Sequence, residues 1–226
     1  MQTLRFNLFH QIHQALRALL YHASITVQHT DFTQAEQSQK TITMLEQLVA
    51  FFEGHAHTED TLVFPMLAAI APEVIANFEA QHEEDHRLGD ELVNSIALCK
   101  DAATAVEQIM AGTKLQRALN AFTAFNLTHM NQEETIVLDL IHAHYTDAQL
   151  FEKEMEIVAS LSPEKKAFSA YWMLKGLAVH EIIDWYEKIR TNAPSFVFDE
   201  HMQLAENALS AEKLREVQQA LQLLPA

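Results

Sequence analysis

The segment His55-Ala-His-Thr-Glu59-Asp-Thr-Leu-Val-Phe recurs along the chain as His129-Met-Asn-Gln-Glu133-Glu-Thr-Ile-Val-Leu. His, Glu, Thr and Val coincide, the remaining apolar positions are conservative exchanges, and Phe51 and Phe125 stand one turn upstream of the two copies. On an α-helix, residues four apart lie about 40° apart around the axis, so each copy presents an imidazole and a carboxylate to one point. Two such pairs facing each other make a metal site. A chain built this way has to set two helices side by side around a polar interior.

Composition agrees with helices. Four Gly and five Pro are few for 226 residues, 49% of the chain is apolar, and Ala, Leu, Glu, Gln and Met are abundant; these are helix formers, so the expected fold class is all-α. A formal charge of −16, from 15 Lys plus Arg against 31 Asp plus Glu, would repel a phosphate backbone and argues against nucleic-acid binding. The single cysteine, Cys99, can form neither an internal disulfide nor a thiolate cluster, which fits a reducing compartment. No apolar run approaches the roughly 20 residues that cross a bilayer, and the N-terminus lacks the pattern of a secretory signal; cytoplasm is the expected location.

The apolar spacing predicts four long helices. The first runs from Leu4 to about His29, and the second starts at a capping box, Thr33-Gln-Ala-Glu36, and carries the first pair to a kink or stop near Pro65. Ala71-Pro72 opens the third, which bears His82 and His86. The next break falls between Lys100 and Thr113, with Gly112 one candidate, and the fourth helix carries the second pair to about His144. This is an antiparallel up-down-up-down four-helix bundle over residues 1–145. Residues 146–226 read as a C-terminal extension of shorter helices, two of them started by Ser162 and Ser210.

Counting residues from the turn at Ala71-Pro72 places Glu59, His82 and His86 at similar depth in such a bundle. On the first helix either His10 or His13 could face the interior. Of His82 and His86, at least one is expected to ligate, with His86 preferred. His57, about 200° round from His55, should face away. Five imidazoles and two carboxylates exceed what one zinc needs and suit two octahedral ions such as iron or manganese, each Glu able to bridge them. Phe51, Phe52, Phe122 and Phe125 would wall the site with apolar surface. Other chemistry has no motif: the chain lacks a glycine-rich phosphate loop, a Gly-x-Ser-x-Gly, a Cys-x-x-Cys, the His-Glu-x-x-His of zinc proteases and the Glu-x-x-His of ferritin-like bundles.

Taken together, His13-x-x-x-Arg17, His55-x-x-x-Glu59 followed by Leu-Val-Phe-Pro65, Gln81-His82 through His86, and His129-x-x-x-Glu133-Glu134 resemble the hemerythrin-like, HHE cation-binding family over roughly residues 4–144. The resemblance implies a four-helix bundle with a non-haem di-iron centre (Fe–O–Fe), bridged by Glu59, Glu133 and an oxo or hydroxo group, with manganese or zinc as substitutes. It selects His13 on the first helix, giving His13, His55, Glu59, His82, His86, His129 and Glu133 as the expected ligands. Oxygen-carrying members have a His-x-x-x-x-Asp on the last helix. Here Glu133 follows His129 at four residues and Glu134 at five, which points away from plain oxygen carriage. The expected function is binding of, or reaction with, a small diatomic ligand, oxygen or nitric oxide, in sensing or stress response. The alternative is an iron-handling or regulatory module that signals metal state to a protein partner, or to another copy of itself, through the C-terminal helices.

Overall fold

A computed structural model describes residues 5–222. Helix α1 spans His10–His29, α2 Ala35–Thr58, α3 Pro72–Asp101, α4 Ala105–Gln132 and α5 Leu138–His144. Beyond these come α6 (Asp147–Ser160), α7 (Pro163–Gly176), α8 (Val179–Asn192), α9 (Ser195–Ala208) and α10 (Ala211–Ala220). The fold is all-α, a helical bundle followed by additional C-terminal helices, and among the described residues no helix is long and apolar enough to cross a membrane.

Several boundaries differ from the sequence reading. Leu4 lies outside the described residues, and α1 starts only at His10 because the Asn7 side chain accepts from the Phe9 N–H and turns the chain there. The Thr33 capping box does not form. Asp31 takes both the Thr33 N–H and its hydroxyl instead, and Gln34 is left as the N-cap without a side-chain bond. The break before α4 falls at Ala102 to Thr104, where Thr104 and Glu107 cap each other reciprocally. Gly112 lies inside α4 and serves packing: a Cβ there would stand 2.3 Å from Phe32 Cδ2. The Ser162 and Ser210 caps form as expected, accepting from Lys165 N and Lys213 N at 3.3 Å.

Both copies of the repeated segment leave α geometry at the glutamate. A π-helical turn runs Glu59–Val63 and a second Glu133–Val137; their carbonyls accept from residues five further on, Phe64 N and Leu138 N. After the first turn a 3-10 segment, Phe64–Met66, takes in Pro65 and ends the helix. After the second, the chain continues as α5.

The chain divides into two compact units. Among the described residues, one holds Leu19–Ile157 with residues 5–9; the other holds residues 158–222 together with His10–Ala18. In the first unit, Phe9, Phe64, Phe78, Val137 and Ile141 belong to a core around the α2–α3 connection, where the Tyr145 hydroxyl donates to Met66 O at 2.7 Å. In the second, Leu174, Ile182, Tyr186, Ala205 and Val217 form a separate core. Gly176, the last residue of α7, lies against the backbone of α1, and a Cβ there would meet Gln14 O at 2.2 Å.

Candidate metal centre

Each metal-type side chain arrives on a long helix whose apolar face carries it inward. His13 on α1 is fully buried, Glu133 is 0% and Glu59 2% exposed, and His82 and His129 are buried beside them. Burying two carboxylates at one place is costly unless positive charge compensates them. The donor atoms converge in two groups, His13, His55, Glu59 and Glu133 in one and Glu59, His82, His129 and Glu133 in the other, each with its atoms within 4.8 Å of one another. The glutamates belong to both.

The second group shows how the imidazoles are aimed. His82 directs Nδ1 at Asp60 Oδ1, 2.7 Å away, and its Nε2 stands 3.4 Å from Glu59 Oε2. His129 directs Nδ1 at Gln81 Oε1, 2.9 Å away, and its Nε2 lies 3.1 Å from Glu133 Oε1. Carboxylate and amide oxygens only accept, so both Nδ1 atoms donate outward. The two Nε2 atoms then face each other at 3.2 Å, where two lone pairs would repel. A cation between them would relieve that repulsion, and in the metal-free protein a proton on His82 would do the same. Burial opposes charge on His82, but Glu59 and Asp60 outweigh it and push its pKa up to about 9. On α2, His55 Nε2 lies 3.2 Å from Glu59 Oε1. Four imidazoles and two shared carboxylates are a donor set that fits two borderline or hard cations.

Aromatic rings dry this region. Phe64 stacks on His82 with ring centroids 5.2 Å apart, and Phe125 on His129 at 5.9 Å. Phe52 and Phe122, both buried, meet edge to face at 5.1 Å. One turn beyond His82, Asp85 is buried and accepts from Asn126 Nδ2. Burial raises the Asp85 pKa, against the lowering effect of Asn126 and of the neighbouring His129, His82 and His86.

His86 departs from expectation. It is exposed and belongs to neither group. The buried arc of α3 passes through Ile75, Phe78, His82, Asp85 and Leu92, and a residue four after His82 lies about 40° further round, just outside that arc. His57 is exposed, as expected, and so are His22 and His29, while Glu134, one residue past Glu133, is in neither group. His10 pairs with Glu181 of α8. Asp60 and Phe78 were not singled out in the sequence, and Gln81 and Phe64 stood there only within the motif segments, with no role assigned. The only signal for Asp60 was the acidic pair that closes each copy, Glu59-Asp60 and Glu133-Glu134.

No curated protein and no solved structure matches the chain. The family model described as the hemerythrin HHE cation-binding domain matches residues 5–141, a span that contains every residue of both donor groups. The chain belongs to the hemerythrin HHE cation-binding family.

Proposed function

We propose that the protein holds two iron ions, one between His13 and His55 and the other between His82 and His129, with Glu59 and Glu133 shared by both, and that it binds or reacts with oxygen or nitric oxide. The observation that carries this is the sharing of the two buried carboxylates by two groups of imidazoles. When bound, two irons would supply electrons and an open coordination position for a diatomic ligand. The rest falls to the chain. Asp60 and Gln81 orient the imidazoles, and Phe64, Phe125, Phe52 and Phe122 exclude water and leave an apolar surround suited to a small uncharged gas. His86, exposed on α3, stands outside the proposed set.

Protein from iron-replete cells should carry close to two irons per chain. The absorption spectrum of the reduced, anaerobic protein should change on admission of air or nitric oxide. About one zinc and no iron, with no spectral response to either gas, would sink the reading.

A second reading, a module that signals metal state through its C-terminal helices, draws on one observation: His13 lies in the stretch His10–Ala18 that packs with the unit holding α7–α10. If residues 146–226 are deleted, unchanged metal loading with loss of a binding partner would favour it. Loss of the bundle's own helicity would count against it.

A further inference from the structure

Two residues outside the donor set hold the His82/His129 half of the site, and they differ in charge. Asp60 follows Glu59 directly, on the π-helical turn. The two consecutive carboxylates thus address opposite nitrogens of one ring, Asp60 taking Nδ1 of His82 at 2.7 Å and Glu59 standing 3.4 Å from Nε2. His129 is held by an amide instead. Gln81 accepts from its Nδ1 at 2.9 Å and donates through Nε2 to Gln132 Oε1 at 3.0 Å.

We propose that Asp60 and Gln81 are unequal positioning residues: both lock their histidine with Nε2 toward the carboxylates, but Asp60 also makes His82 the more electron-rich donor and so favours the oxidised state of the ion it holds. This rests on the two-iron reading above. The physical basis is that an anionic acceptor on the outer ring nitrogen raises the basicity of the inner one, whereas a neutral amide orients without adding charge. Partly exposed Asp60, with 37% of its side chain accessible, keeps this influence at the rim of the site, where it can be changed without opening the core.

The test compares iron-loaded wild type with Asp60→Asn, Gln81→Glu and Gln81→Leu. Iron retention is measured against a competing chelator under anaerobic conditions, and the midpoint potential by redox titration, with helicity monitored by circular dichroism. Asp60→Asn should raise the midpoint and weaken ferric iron retention by about 10- to 100-fold. Gln81→Glu should lower the midpoint, and Gln81→Leu should weaken iron retention while leaving the midpoint closer to wild type than either charge change does. Opposite signs for Asp60→Asn and Gln81→Glu separate an electronic effect from simple loosening of the structure, which would weaken retention in both. If wild type carries two irons and the two charge-changing variants share its midpoint or shift it in the same direction, the inference is overturned. If wild type binds no iron, the two-iron reading fails and this one with it.

Discussion

Glu59 and Glu133 each face both groups of imidazoles, whereas every histidine serves one. On the two-iron reading, removing a shared carboxylate should act on both ions together: Glu59→Ala or Glu133→Ala is expected to leave far less than one metal per chain. His82→Ala should leave about one. Metal analysis after gel filtration distinguishes the two patterns. The charge on His82 makes a second prediction, for the metal-free protein. Its folded pKa, about 9, lies above the ordinary 6.5, so its stabilising effect is complete below pH 6.5 and is lost as pH rises to about 9. The amount is on the order of 3 kcal/mol. Urea melts of chelator-treated protein should show stability falling across that window, a fall that His82→Gln should largely abolish. Histidines that recur with a carboxylate at helical spacing could be read from the sequence, because the repeat excludes chance. The choice between His82 and His86 could not, because both lie near the edge of the buried arc and one turn of helix does not reveal where that edge falls. Asp60 and Gln81 were hidden for another reason: the bonds Asp60 to His82 and Gln81 to His129 cross between helices, and no spacing along one helix encodes them.

At the scale of elements, breakers and caps were the weaker part of the sequence signal. Thr33-Gln-Ala-Glu36 has the form of a capping box, but Asp31 is nearer and takes the Thr33 groups first. Thr104 and Glu107 make the box that does form, and Thr104→Ala should cost about 1 kcal/mol, read as a lower melting temperature with metal content unchanged. Gly112 looked like punctuation and proves to be clearance for an aromatic ring. Gly112→Ala forces the Phe32 ring away from a contact of 2.3 Å, which should cost about 1–3 kcal/mol, and Phe32→Leu in the same chain should recover part of it. The two π-helical turns also escaped the sequence reading, since apolar periodicity is too coarse to register one extra residue in a turn. Their placement at both glutamates fits the tendency of such turns to gather at functional sites.

For the whole molecule, a ligand that binds only the folded state stabilises it by mass action, about 2.7 kcal/mol at free metal one hundred times its dissociation constant. Loaded protein should therefore melt higher than stripped protein, and by an amount that grows with added metal. A melting temperature indifferent to metal would mean that the buried carboxylates are compensated some other way. The all-α bundle with C-terminal helices was legible because long, periodic apolar stripes fix element type well. What pattern along the chain cannot state is which helices pack together, and the grouping of His10–Ala18 with Val158 onward is information of that kind.

The donor groups also divide evenly between two helical hairpins. The hairpin of α1 and α2 contributes His13, His55 and Glu59, and the hairpin of α3 and α4, with the π-helical turn that follows, contributes His82, His129 and Glu133. Each group takes both imidazoles from one hairpin and borrows a carboxylate from the other. Two identical hairpins related by a two-fold axis would build the same arrangement. Neither hairpin alone holds a full set, so each donor group depends on side chains from both.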